Sequence, residues 1–139
     1  MTTCYLHNKN IIEKNELSKA LSDAFGVSKE DIFFSDGEKS PNYAHCSVIV
    51  EQWKLRESPE DLRVEIILEI SDKIFKRNTM GVDENLCHSV DLEAARMIAP
   101  HMKQAIVGSY EDVQRDELCF VKCYPDGREE RIEWPDEEE

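Results

Sequence analysis

The sequence predicts an α+β fold: one domain in which two helices pack on one face of a mostly antiparallel sheet of five or six strands. Three observations carry this. Two segments, 13–25 and 91–103, repeat apolar residues at helical spacing. Several segments of β-branched and aromatic residues alternate at the two-residue period of a strand. A late Asp126-Gly127 pair marks a tight hairpin. A chain of 139 residues fits one domain with its own core, here residues 1–134, followed by an acidic tail at 135–139 expected to be disordered.

In order, the segment from Glu13 to Phe25 places Leu17, Ala20, Leu21, Ala24 and Phe25 on one stripe. Asn15 is a candidate cap, and Gly26 supplies a left-handed stop. The triplet Ile32-Phe33-Phe34 reads as a short strand, and the stretch from Ser35 to Asn42 as an exposed turn. From Tyr43 to Trp53, Cys46, Val48 and Val50 share one side while Ile49 and Trp53 share the other, so both faces of this strand are expected to be partly covered. Leu62 to Ile70 is read as a half-buried strand from the alternation of Val64, Ile66, Leu68 and Ile70 with Glu65 and Glu69, although Ser58-Pro59-Glu60-Asp61 also fits a helix start. Ser71 to Val90 has no clear period.

The second helix, Asp91 to Lys103, carries Leu92, Ala95, Ile98 or Ala99, and Met102; Pro100 is expected to kink or end it. Ala105-Ile106-Val107 reads as a short strand closed by Gly108-Ser109, and Tyr110 to Glu117 as an acidic loop. Leu118 to Tyr124 and Glu129 to Trp134 form the hairpin around Asp126-Gly127.

Charge narrows the function classes. The formal net charge is -13, and residues 111–139 hold 12 acids against 4 bases, so -8 of the total lies in the final fifth. Such a surface disfavours nucleic acid and anionic membranes and favours a basic protein. No apolar run approaches the roughly 18 residues of a membrane helix. The start, Met-Thr-Thr-Cys-Tyr-Leu-His, lacks the pattern of a signal peptide. With five cysteines at irregular spacing, the chain reads as a reduced cytoplasmic protein whose thiols are small core residues.

Chemistry-bearing constellations are sparse. His45-Cys46 and Cys87-His88 hold four ligand-type side chains, but neighbours on a strand point to opposite faces, and the spacing matches no zinc pattern. Cys87-His88 is the best nucleophile candidate, beside a helix start, yet no oxyanion-hole signature accompanies it. Glu65 with Glu69, and Glu129 with Glu133, share strand faces and read as solvated. His7 and His101 have no identifiable partner in the sequence and read as surface or rim residues. No catalytic residue, metal site or cofactor is assigned, and the chain reads as a binding protein and not an enzyme. A small Cys/His enzyme or metalloprotein and a structural subunit are the alternatives.

The candidate binding face is the C-terminal one. Glu111, Asp112, Asp116 and Glu117 fall in one loop, and Glu129, Glu130 and Glu133 on the hairpin, with Tyr124 and Trp134 as aromatic anchors. Charge of this kind orients encounter, and aromatics supply much of the binding energy.

Residues 91–134 also carry a resemblance. The helix Glu93-Ala94-Ala95-Arg96-Met97-Ile98-Ala99, the strand Gln104-Ala105-Ile106-Val107 and the hairpin from Cys119 to Trp134 resemble, in element order, size and acidity, the small α+β immunity proteins of bacterial toxin systems. The resemblance implies a cytosolic protein that binds and inhibits a basic cognate toxin, such as a nuclease domain. It assigns no functional residue by position.

Overall fold

The computed structural model describes residues 1–35, 46–56, 58–78, 90–112 and 114–132. Its centre is a strand that periodicity alone did not single out. β1 (Thr2–Asn8) buries Cys4, Leu6 and Asn8 while Tyr5 points outward, and it lies in the middle of the sheet. α1 (Lys14–Phe25) follows, with Leu17, Ala20, Leu21 and Phe25 buried. Its N-cap is Glu13; Asn15 lies inside the first turn and donates to the Glu13 carboxylate at 3.4 Å. Gly26 ends it at φ +67°, its N–H donating to the Ser22 carbonyl at 2.9 Å. This is the left-handed stop that glycine makes cheap.

β2 (Ile32–Phe34) pairs in parallel with β3 (Val48–Lys54), and β3 pairs antiparallel with β4 (Val64–Ile70). The strand reading of the 62–70 region holds, and the helix start considered at Ser58–Asp61 amounts to one 3-10 turn, Glu60–Leu62, after Pro59; the strand then alternates buried and part-exposed side chains along its whole length. α2 (Asp72–Asn78) occupies part of the segment without a clear period, so the described residues hold three α-helices and not the expected two. α3 (Val90–Ile98) stops where Pro100 enters a 3-10 turn, Ala99–His101.

The remaining strands are β5 (Ile106–Asp112), β6 (Glu117–Cys123) and β7 (Glu129–Ile132), giving one seven-stranded mixed sheet ordered β2-β3-β4-β1-β5-β6-β7. The stretch expected as an acidic loop therefore begins and ends as strand around a turn at residues 114–116: Tyr110, Glu111 and Asp112 pair with Cys119, Leu118 and Glu117. Gly108 does not close β5 but lies within it. A Cβ there would stand 2.8 Å from the Ala95 Cβ, 2.8 Å from the Leu92 Cα and 2.9 Å from the Asp91 carbonyl oxygen. The missing side chain is what lets α3 lie directly on β5. The Asp126-Gly127 turn forms as expected, with Gly127 at φ +94° and its N–H on the Tyr124 carbonyl at 3.0 Å.

The main core fills the face that carries the helices. Leu6, Val50, Ile66, Leu68, Ile106 and Val121 meet Leu17, Leu21, Phe25, Leu92 and Ile98 there. The opposite face holds a smaller cluster at one end, where Leu62 covers Val107 and Phe120, with Ile132 alongside. β1 and β5 share a single bridge, His7 with Val107. Beyond it the Asp91 carboxylate, at the start of α3, accepts the Tyr5 backbone N–H at 2.7 Å. A central-strand donor is thereby satisfied where the ladder opens.

Candidate protein-binding face

The described C-terminal carboxylates lie on β5, β6 and β7 and, at Asp116, in the turn between β5 and β6, and the hairpins divide them. Asp112, Asp116 and Glu117 stand at one end of β6, and Tyr124, Glu129 and Glu130 at the other. Six residue steps at about 3.3 Å separate these ends by roughly 20 Å. Asp116 holds a positive φ of 52° in the connecting turn. Strand alternation divides the acids again. Glu111 and Glu130 share the helix-free face with Leu118 and Lys122, whereas Asp112, Glu117 and Glu129 face the helix side. Glu133 and Trp134 lie outside the described residues.

Most of these groups are engaged within the chain. Asp112 Oδ1 accepts the backbone N–H groups of Gln114 and Arg115 at 3.1 and 3.3 Å. Glu117 lies 3.6 Å from Arg131. Glu129 takes a two-pronged bond from Arg96, at 3.0 Å to each oxygen, which holds the guanidinium above its ordinary pKa. The Tyr124 hydroxyl donates to Glu130 at 2.8 Å. The Tyr124 ring already has two cations of the chain against it: Arg128 lies 4.5 Å from its ring centroid and Lys122 at 5.3 Å.

The sheet presents a second arrangement on its helix-free face. Across β3, β4 and β1 the register places Ile49, Glu69 and Thr3 in one row, Glu51, Ile67 and Tyr5 in the next, and Trp53, Glu65 and His7 in the third. Trp53 is 53% exposed and Tyr5 46%, while Ile67, Glu51, Glu65 and Glu69 are half-buried. The expectation that both faces of this strand are partly covered holds: Ile49 is buried on this face, and Trp53 is half exposed where β3 lies beyond its pairing with β2. The Trp53 Nε1–H donates to Glu51 at 3.3 Å, and Glu65 stands directly across the strand pair. Among the described residues no Lys or Arg lies within ion-pair distance of Glu51, Glu65 or Glu69; Glu65 has only His7, at 3.7 Å. Burial lowers the His7 pKa, so this imidazole adds little positive charge near neutral pH.

The lysines gather elsewhere. Lys9, Lys103 and Lys122 line a hollow of about 280 Å³ at the end of β1, where Lys9 pairs with Glu60 at 2.7 Å and Lys122 with Asp61 at 2.9 Å.

Cys4, Cys119 and Cys123 are buried and unbridged, and Cys46 is part-buried. Burial, with Asp91 nearby, pushes the Cys4 thiol up to about 12; burial, with Glu129 nearby, pushes Cys123 up to about 11. Neither is a nucleophile at neutral pH. His45, Cys87 and His88 lie outside the described residues. Among the described residues no group of three or more His, Cys, Asp or Glu side chains is placed to hold a metal ion, and no helix is long and apolar enough to cross a membrane.

The aromatic and carboxylate rows on β3, β4 and β1 were missed in the sequence because their partners come from distant segments. Tyr5 and Ile67 become neighbours only when the first strand pairs with the fourth. The signal available was local: an exposed-type Trp two residues after a Glu, and Glu65-Ile-Ile-Leu-Glu69 with two glutamates on one face. No protein family, curated protein or solved structure matches this chain.

Proposed function

We propose that this chain is a non-catalytic acidic binding protein, of the immunity type, that binds a basic protein such as a toxin nuclease domain and blocks it. One observation carries the reading. The helix-free sheet face displays Glu51, Glu65, Glu69, Glu111 and Glu130 on hydrogen-bonded strands, and its one described strand lysine, Lys122, is already paired with Asp61. Carboxylates held by a ladder lose little freedom on binding, and their summed field speeds encounter with a cationic surface. Nuclease grooves are positive because they hold phosphates, so such a face is complementary to one. The net charge of -13 acts in the same direction at long range.

The test is co-purification from the native cell followed by binding measurements in a salt series. A basic partner whose association slows steeply as salt rises supports the reading. A neutral or acidic partner, or association indifferent to salt, refutes it.

A further inference from the structure

We infer that the docking surface is the part of the helix-free face formed by β3, β4 and β1, and that it takes an arginine-bearing surface of a basic protein. This rests on the binding reading above and names the place and the chemistry.

The argument starts from what the molecule does at Tyr124. There one aromatic ring, a carboxylate hydrogen-bonded to its hydroxyl and two stacked cations form a closed set within the chain: Glu130 at 2.8 Å, Arg128 at 4.5 Å and Lys122 at 5.3 Å. At Trp53 the same parts are present except the cation. The ring is tethered to Glu51 through its Nε1–H, it has Glu65 across the strand pair, and among the described residues no cation lies over it. A cation placed on this ring has two carboxylates close by, Glu51 on the same strand and Glu65 on the neighbouring one. Tyr5 and Ile67 extend the apolar ground diagonally from Trp53, which gives the patch a centre that excludes water and a rim that carries charge.

Arginine fits this better than lysine. Its planar guanidinium stacks on aromatic faces and bonds carboxylates through two parallel N–H groups, whereas an ammonium is a compact and strongly hydrated point charge. Two other occupants fit poorly. A second copy of the chain would bring glutamates against glutamates, and an anionic lipid surface would be repelled by the same groups.

The probe is hexa-arginine, titrated at low salt into isotope-labelled full-length protein, with amide shifts followed by NMR and hexalysine as a matched control. The expected shifts concentrate on residues 3–7, 51–53 and 65–69 and on the Trp53 indole N–H, and hexalysine binds more weakly. Trp53→Ala weakens hexa-arginine about threefold, as expected for an exposed cation–π contact. The triple change Glu51→Gln, Glu65→Gln, Glu69→Gln weakens it roughly tenfold, the sum of three exposed ion pairs. Preserved amide dispersion verifies that each variant folds, and sedimentation verifies that it is monomeric. Shifts concentrated on residues 111–117, or unchanged affinity in both variants, overturn the placement and leave the binding reading standing. No saturable binding anywhere removes the binding reading itself. A dimer that Trp53→Ala dissolves also overturns the inference, because it assigns the patch to a second copy.

Discussion

The two halves of the sheet handle their acids in opposite ways. β6, β7 and the last two residues of β5 lie in the most acidic fifth of the chain, yet most of the described carboxylates on these strands are tied to Arg96, Arg131, Tyr124 or local backbone N–H groups. β3, β4 and β1 hold three glutamates around the exposed aromatic side chains of Tyr5 and Trp53 and the half-buried Ile67, without a described Lys or Arg partner. Charge counted along a sequence therefore differs from charge displayed to a partner. An acid bonded at both oxygens to a guanidinium attracts little else.

The largest expected effect breaks the joint between the halves. Gly108→Ala pushes a methyl group against the backbone of α3 at 2.8 Å, and overpacking of this kind costs about 3 kcal/mol. Urea denaturation measures it. Stability equal to that of the parent protein would show that α3 does not bear on β5 as described. A second cut at the joint is smaller. Asp91→Ala strips the carboxylate acceptor from the Tyr5 N–H and costs about 1.5 kcal/mol, the net contribution of a hydrogen bond to a charged group. Hydrogen exchange at Tyr5 checks it, and faster exchange in the variant is expected.

The two raised thiols compare the halves directly, with Cys4 in β1 and Cys123 in β6. The sign is fixed by linkage. Above the ordinary thiol pKa of 9.0 the unfolded chain releases these protons while the folded chain keeps them, up to about 12 for Cys4 and about 11 for Cys123. The unfolded state then binds fewer protons, so stability falls as pH rises past 9.0, by about 1.4 kcal/mol per pH unit for each thiol. Denaturation of Cys4→Ala and Cys123→Ala between pH 8 and 10.5, relative to the parent, reads the difference in slope. An identical slope in all three proteins contradicts it.

The smallest effect sharpens the contrast itself. A double-mutant cycle on Arg96 and Glu129 is expected to give a coupling below about 1 kcal/mol, because both side chains are part-exposed. Arg96→Gln frees Glu129, so hexa-arginine shifts near Glu129 should grow while those near Trp53 stay constant.

Much of the fold was legible where a single segment decides its own form. The stripe from Leu17 to Phe25, the Gly26 stop, the alternation from Val64 to Ile70 and the Asp126-Gly127 turn each depend on neighbours in sequence, and each formed. What failed depends on tertiary context. Gly108-Ser109 looks like a strand end, but the small side chain serves helix packing. Tyr110 to Asp112 looks like loop because its acids resemble solvent-loving residues, whereas pairing with residues 117–119 makes it strand. β1 was passed over because its polar residues, Thr2, Thr3, His7 and Asn8, obscure the Cys4 and Leu6 alternation. The candidate surface was the least legible part, since its rows join residues 3–7, 49–53 and 65–69 only through strand register.

The most direct measurement is the affinity for hexa-arginine of the triple Glu51→Gln, Glu65→Gln, Glu69→Gln variant against a matched triple variant, Glu111→Gln, Asp112→Asn, Asp116→Asn, at one low salt concentration. Equal charge is removed in each. A loss of roughly tenfold in the first and less than twofold in the second is the expected result, since only the first set surrounds an uncovered aromatic patch. Equal losses, or a larger loss in the second, would contradict the account.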